Sequence, residues 1–310
     1  MTAFVVVNPR SARGRTGRAW PHIRAGLQSA FPLMEAALSR ERGQTAHLVR
    51  EALKGGHLDI IVVGGDGTLN EAVNGFFEHG RPVSPDAVLG FVASGLWSDF
   101  ARHFGITPDY GTAIARLRQS HIRRVDVGRL SCLSLQGAPV TRYFINSASF
   151  GFSARVQGAI NRSRLAGLFG KSAFAAFAAL KLPGWHAPRL RLIAEGGYDE
   201  IAGITLVAVA NGRWFGAGMK VAPEAEASDG KFDIVVVGGA PRLKVFKALA
   251  ALGRGMPLSN SAMRAVRSTR LTAAPTLETE GRIEIETDGE SAGMLPATFE
   301  ILPAALNLRW

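Results

Sequence analysis

Five consecutive residues, Asp59-Ile60-Ile61-Val62-Val63, break off at Gly64-Gly65 and are followed by apolar side chains at helical intervals, Leu69, Ala72, Val73 and Phe76. An Ile/Val run without polar alternation reads as a strand covered on both faces, the kind found in parallel sheets with helices on either side. Two more runs repeat the pattern. Phe4-Val5-Val6-Val7 closes at Asn8-Pro9, and Val88-Leu89-Gly90-Phe91-Val92 leads through a polar turn from Ser94 into another helical pattern. Residues 18–30 and 44–54 carry helical spacing between the first two strands. The order βαβαβα predicts an α/β domain with a parallel sheet, in which ligands bind outside the carboxyl ends of the strands. The unusual loops of this half fall at those ends.

From about Val125 the texture changes to period-two or β-branched segments separated by Gly-rich turns: 143–146, 189–194, 204–210, 232–237 and 282–287. That is the pattern of antiparallel sheet, interrupted by helical segments near 160–182 and 241–255. At about 150 residues per domain, 310 residues suggest two domains. We place the α/β domain at residues 1–127 and a mostly antiparallel β domain at 128–310, with the last residues free to return to the first domain.

The net charge is +11, and the excess is unevenly placed. No acid precedes Glu35, none lies between Asp126 and Glu195, and none between Asp233 and Glu278. These stretches carry Arg10, Arg13, Arg15, Arg155, Arg162, Arg164, Lys171, Lys244 and Lys247, which would attract nucleotide phosphates, anionic headgroups or nucleic acid. The bland alternative is a basic, well-solvated exterior. A single cysteine, Cys132, excludes a disulfide framework and a cysteine-built zinc site. Residues 3–7 are too short for a secretory apolar segment, and no run of about 20 uncharged apolar residues is present, so a cytoplasmic protein, soluble or peripherally membrane-associated, is expected.

The strongest local signal is Gly64-Gly65-Asp66-Gly67-Thr68-Leu69-Asn70-Glu71, between a buried strand and a helix. Glycines let the backbone approach a ligand, the helix N-terminus offers unpaired N–H groups to phosphate, and Thr68 suits an N-cap. Asp66 is the odd member among groups that favour anions. A carboxylate there holds Mg²⁺ or accepts a proton from an attacking hydroxyl.

This string resembles the GGDGT box of phosphofructokinases, NAD kinases and the diacylglycerol/sphingosine lipid kinases. Other boxes favour the last. Asn8-Pro9-Arg10-Ser11 resembles their Asn-Pro-x-Ser-Gly, and residues 95–102 resemble Gly-Thr-x-Asn-Asp-Phe-Ala-Arg. Asn211-Gly212, Gly216-Ala217-Gly218-Met219, Ala222-Pro223-Glu224-Ala225 and Asp229-Gly230-Lys231-Phe232-Asp233 are similar to the family's Gly-Gly-Gly-Met and Asp-Gly-x-Leu-Asp block, and Asp288-Gly289-Glu290 to its closing Asp-Gly-Glu. The boxes follow in order over nearly the whole chain.

The resemblance implies a phosphofructokinase/NAD kinase-like first domain, a β-rich lipid-acceptor domain, ATP and Mg²⁺ as cofactors, and a lipid acceptor. It implies that Asn8, Pro9, Ser11, Ser39, Gly65, Gly67, Thr68, Asn70, Glu71 and Leu96 hold ATP. Asp66, Asp99 and Asp126 would hold catalytic Mg²⁺ through water. Asp229, with carbonyls near Glu226 and Lys231, would bind a structural Mg²⁺. Asp66 and Glu290 both stand as candidate base. The chain departs from the pattern at Ala12, where a Gly is usual, at Leu96 in place of Thr, and at Ser98 in place of Asn. One lost hydroxyl costs about 0.5–1.5 kcal/mol. The alternatives are a NAD kinase-like enzyme, supported by the first box alone, and a non-catalytic lipid- or nucleotide-binding relative. Residues 165–182, apolar with flanking Lys171 and Lys181, fit a helix lying on an anionic membrane through Phe169, Phe174 and Phe177, or equally a core helix. No nucleic-acid partner is expected, and a homodimer is compatible with the chain.

Overall fold

The computed structural model describes residues 2–94, 98–119, 121–163, 173–216, 218–241, 244–245, 247 and 263–310. It divides into two compact units, Met1–Val127 with Pro303–Trp310, and Gly128–Leu302.

In the first unit, β1 (Thr2–Val7), β2 (Leu33–Leu38) and β3 (Asp59–Gly64) pair in parallel. A short hairpin of β4 (Phe77–Glu78) and β5 (Arg81–Pro82) then leads to β6 (Val88–Ala93), parallel to β3. The order is β2-β1-β3-β6. One sheet face, through Val5, Val7, Ile61 and Val63, is covered by Trp20, Ile23 and Leu27 of α1 (Arg15–Ala30) and Ile114 and Leu117 of α5 (Tyr110–Arg118). On α2 (Gln44–Lys54) and α3 (Asp66–Phe76) the buried residues include Val49, Leu53, Leu69, Val73 and Phe76. The two helices cross so closely that a Cβ on Gly75 would lie 2.6 Å from the Ala46 carbonyl oxygen. Residues 303–310 return to this unit: Asn307 and Leu308 pair in parallel with Val88 and Leu89. Arg309, about nine-tenths buried, places Nη1 2.7 Å from Asp59 Oδ1.

The second unit is antiparallel throughout its strand pairs. The inner part of β7 (Ile122–Leu133) pairs with β8 (Pro139–Phe144), where the Phe144 ring lies over Gly128, and a Cβ on that glycine would come within 2.2 Å of the ring. β9 (Ser147–Gly151) pairs with β11 (Tyr198–Ala210), which lies between β10 (Arg189–Ala194) and β12 (Phe232–Gly238). β13 (Met263–Ser268) extends β12, and β14 (Arg270–Pro275) joins β10. β15 (Glu284–Thr287) lies between β9 and β16 (Glu290–Arg309).

Of the helical segment expected at 160–182, the described residues include the end of α6 (Phe152–Arg162) and a helix over Ala173–Lys181. Phe174, Ala178 and Leu182 are buried with Ala208, Val235 and Val237, and Phe177 packs against that cluster. Phe174 and Phe177 are thus core residues and not a bilayer face, because the apolar outer face of β11 and β12 needs a cover. Phe169, Arg164 and Lys171 lie outside the described residues, as does most of the segment at 241–255. No helix among the described residues is long and apolar enough to cross a membrane.

Candidate active site

The phosphate-type loop is built where β1 and β3 end. Asn8 donates from Nδ2 to Thr68 Oγ1 at 3.0 Å, tying the first loop to the start of α3. Ser11 Oγ donates to the Asn8 carbonyl at 2.8 Å and lies 2.5 Å from Thr16 Oγ1 and 3.0 Å from Ser94 Oγ. Pro9 accepts from the Gly17 amide at 3.0 Å, and a Cβ on Gly17 would crowd that carbonyl. The chain then turns through Ala12 and Arg13 at φ 49° and 58° before Gly14 at 79°. Two non-glycine residues in the left-handed region are strained, and such strain concentrates at functional loops.

The N-cap of α3 is Gly65, and not Thr68 as expected. Helical geometry begins at Asp66, which puts Thr68 and Gly67 inside the first turn and Thr68's hydroxyl on Asn8. No side chain caps Gly65, so this N-terminus keeps the amide donors that suit an anion. Asp66 accepts from Ser98 Oγ–H on one oxygen and from the Asp99 amide at 2.8 Å on the other. Ser98 is also the N-cap of α4 (Asp99–Phe104), its Oγ accepting from the Ala101 amide at 2.9 Å. The residue that departs from the family's Asn therefore welds α4 to the carboxylate of the glycine loop.

Other expected residues are placed differently. Glu71 spends both oxygens at the start of α2, accepting from the amides of Gly43 (2.8 Å) and Thr45 (3.2 Å). Its carboxylate complements the dipole at the start of α2. Asn70 is buried and accepts from Asn74 Nδ2 at 2.8 Å through its carbonyl. Ser39, buried at the end of β2, points its hydroxyl at the Val7 carbonyl. Leu96 lies outside the described residues. Asp126 is buried, and its Oδ1 accepts from the Ala304 amide at 2.7 Å. Among the described residues no three carboxylate, His or Cys side chains converge as a metal group, so Asp66, Asp99 and Asp126 do not form a direct three-ligand cage.

Asp229, the expected ligand of a structural magnesium, is engaged by protein groups. One oxygen pairs with the Arg267 guanidinium, the other accepts from the Lys231 amide at 3.0 Å, and the Asp229 amide donates to the Glu226 carbonyl at 3.4 Å. Arg267 also lies 3.6 Å from Asp233 Oδ1 and directly across the β12–β13 pair from it. Burial pushes the Asp233 acid up, with the guanidinium opposing and the carboxylates of Asp229, Glu224 and Glu226 adding to the rise. Glu224, Glu226, Asp229, Lys231 and Arg267 line a pocket of about 420 Å³. The guanidinium thus occupies one oxygen of the carboxylate that the resemblance assigns to magnesium.

In the second unit, Asp288 accepts three backbone N–H groups, from Ile145 (3.0 Å), Asn146 (3.0 Å) and Ser147 (2.9 Å). It does so from φ 48°, with Gly289 next at 83°. Asn161 of α6 donates to the Gly289 carbonyl at 3.0 Å. Glu290 is thus carried on a turn fixed by β9 and α6. Sequence reading missed Thr16, Ser94, Arg267 and the supporting role of Asp288. Only Asp288 had a local signal, its place in the Asp-Gly-Glu box.

The sequence profile of the diacylglycerol kinase catalytic domain matches residues 2–130, and that of the YegS C-terminal NAD kinase beta sandwich-like domain matches residues 146–309. The chain is 28% identical over 299 residues to a protein named diacylglycerol kinase from Staphylococcus haemolyticus, covering 96% of this chain and 84% of the relative. It is 29% identical over 308 residues to "Probable lipid kinase YegS-like" of Chromohalobacter salexigens, covering 98% and 92%. A crystal structure of a diacylglycerol kinase from Bacillus anthracis superposes with a TM-score of 0.71 at 22% identity, covering 100% of this chain and 96% of that one, which shows the shared fold. With both profiles matching in order, the chain belongs to the diacylglycerol kinase/YegS family and is a lipid kinase.

Proposed function

We propose that the enzyme transfers the γ-phosphoryl group of ATP to a hydroxyl of a membrane lipid, with diacylglycerol as the leading acceptor and ceramide, a sphingoid base or a related lipid as the others. The observation that carries this reading is Asp66, an anion fixed by Ser98 and the Asp99 amide in the first turn of α3, beside the glycine loop. The family match across both domains weighs against a NAD kinase-like reaction. Retention of Asp66, Asp99, Asp126 and Glu290 weighs against a non-catalytic relative.

Amides at the start of α3 and the hydroxyl of Ser11 bind phosphate oxygens, Thr16 and Ser94 hold Ser11 from behind, and Asn8 keeps the two loops in register. Mg²⁺ bound with ATP neutralises phosphate charge, and Asp66, Asp99 and Asp126 would hold it through water. A carboxylate oriented by a hydroxyl and an amide donor, as Asp66 is, suits a hydrated cation. Glu290 takes the proton of the acceptor hydroxyl, with Asp66 as the alternative base. Positioning and charge stabilisation supply most of the acceleration in such transfers.

The acceptor stays in a bilayer, so the enzyme works as a cytoplasmic protein bound peripherally. Exposed basic residues such as Arg155 and Lys244 each add roughly 1 kcal/mol near an anionic surface. The test is transfer of radiolabelled phosphate from ATP to a lipid panel in micelles, repeated on vesicles with and without anionic lipid at low and high salt. Label in diacylglycerol, faster on anionic vesicles at low salt, is expected. Label in NAD alone, or in no lipid, refutes the acceptor class. Equal rates on neutral vesicles refute electrostatic docking.

A further inference from the structure

Only Ile145 and Asn146 separate β8 from β9, and both are buried. The backbone amides of Ile145, Asn146 and Ser147 all donate to the Asp288 carboxylate, and the Asp288 amide returns a bond to the Ser147 carbonyl at 2.8 Å. Those four bonds explain how a non-glycine residue is held at φ 48°, since such a conformation persists only where its surroundings over-determine it. The carbonyls of the same kink serve a different segment. The Asn146 carbonyl accepts from the amides of Asn211 (2.9 Å) and Gly212 (2.7 Å), and the Ile145 carbonyl accepts from Asn211 Nδ2 at 2.8 Å.

The Asn146 side chain adds one more bond, from Nδ2 to the Trp214 carbonyl at 2.8 Å. Only the amide nitrogen can face a carbonyl oxygen, so the orientation of this side chain is fixed. Its Oδ1 is then buried with no hydrogen-bond partner among the described residues, a cost that an apolar side chain of the same size would avoid. What the asparagine contributes in return is its hold on Trp214. Beyond Trp214 the chain forms a small hairpin in which Phe215 and Met219 exchange backbone bonds of 2.8 and 2.9 Å. The buried Phe215 ring packs edge-on against Phe174 at 5.7 Å, and Lys220 Nζ lies 5.9 Å from the centre of the Trp214 ring.

We propose that Asn146 is a positioning residue for the kinase reaction. Its backbone amide holds the Asp288 carboxylate, 142 residues away, and its side-chain amide holds the Trp214 carbonyl, 68 residues away. The Asp288-Gly289-Glu290 turn and the Trp214–Met219 loop are thereby set in one fixed relation, and Glu290 is aimed by both. This rests on the reading of Glu290 as the group that meets the acceptor hydroxyl.

The test joins kinetics to a readout that needs no substrate. In wild type, the amides of Ile145, Asn146, Ser147, Asn211, Gly212 and Asp288 should exchange hydrogen as one group, with protection factors within about tenfold of each other. Asn146→Leu keeps the volume and removes the donor. It should lower kcat by about 10–100-fold, the range that misplacing a reacting group by about 1 Å produces, and raise deuterium uptake in both 211–216 and 288–291. The residues assigned to ATP belong to the first unit, so KM for ATP should stay within about twofold. Thr205→Val deletes another buried hydrogen bond of the second unit, from Thr205 Oγ1 to the Gly238 carbonyl at 3.2 Å, and should lose a similar amount of Tm while keeping kcat. If Asn146→Leu does not fold, Asn146→Ala replaces it, and the wild-type exchange pattern decides in either case. Independent exchange of the two segments in wild type, full kcat in a folded Asn146 variant, or an equal kcat loss in Thr205→Val overturns the proposal. Coupled exchange in a protein that phosphorylates no lipid leaves the link through Asn146 standing and overturns the reading of Glu290 instead.

Discussion

Replacing Asp66 by Asn separates chemistry from folding, because the structure gives the substitution little to break. Asp66 accepts from Ser98 Oγ–H and from the Asp99 amide. An Asn in the same rotamer still accepts from the Asp99 amide and can donate to Ser98 Oγ, which has a second lone pair beside the one used by the Ala101 amide. The site then loses only the charge assistance of two bonds and the favourable charge in the first turn of α3, together about 1–2 kcal/mol. At about 2–4 °C per kcal/mol for a domain of this size, Tm should fall by roughly 2–8 °C. The chemical loss is larger, since removing a proton acceptor or a cation-holding carboxylate costs about 10²–10⁴ in rate. Scanning calorimetry and single-turnover phosphoryl transfer at 25 °C measure the two effects on the same sample. A rate within tenfold of wild type would refute the assignment of Asp66. A Tm drop well beyond 10 °C would show that the carboxylate is a structural keystone of α4 and that the rate loss reports unfolding.

Ala12→Gly should raise stability by about 1 kcal/mol, since it relieves a non-glycine residue held at φ 49°; an unchanged or lower Tm would mean that the loop is not strained. Arg267→Met should lower stability by about 1 kcal/mol and make Tm sensitive to millimolar Mg²⁺, whereas wild type should be indifferent to EDTA. A wild-type Tm that drops on chelation would put a metal back at Asp229. Glu286 gives a pH signature in equilibrium unfolding: its folded pKa, about 8, lies above the ordinary 4.5, so the folded state holds its proton more tightly. That contribution is complete below pH 4.5 and is lost as pH rises through about 8, by up to roughly 1.4 kcal/mol per pH unit. Denaturant titrations of wild type and Glu286→Gln should diverge in that window, and parallel curves would reject the shift.

The buried strands were readable because their chemistry is local. β1, β3 and β6 are Ile/Val runs that no helix or half-exposed strand would carry. β2 was invisible: Leu33-Met34-Glu35-Ala36-Ala37-Leu38 is made almost wholly of strong helix formers, and it is a strand because the open edge of β1 dictates it. The N-cap of α3 was misplaced by three residues, since Thr68 looks like a cap while its hydroxyl is taken by Asn8, 60 positions away. Distance along the chain explains the remaining misses in the site. Arg267 reaches Asp229 across 38 residues, Ser149 reaches Glu286 across 137, and Ala304 reaches Asp126 across 178. No spacing rule in a single sequence joins such partners, and only motif order had marked the carboxylates among them.

The return of Pro303–Trp310 to the first unit has a consequence for biosynthesis. The neighbour of β6, the guanidinium of Arg309 that donates to Asp59, and the Trp310 ring that packs on Phe104 at 4.9 Å are all made after the intervening Gly128–Leu302 unit. At the usual elongation rate of about 5–20 residues per second, those roughly 175 residues take on the order of 10–35 s to synthesise. Through that interval a nascent parallel sheet waits on the ribosome with β6 as an open edge and the Asp59 carboxylate without its guanidinium. The inserted unit, whose pairings lie within its own span, can close first. The sheet that carries Asp66 is finished only when residues 303–310 have been translated and docked.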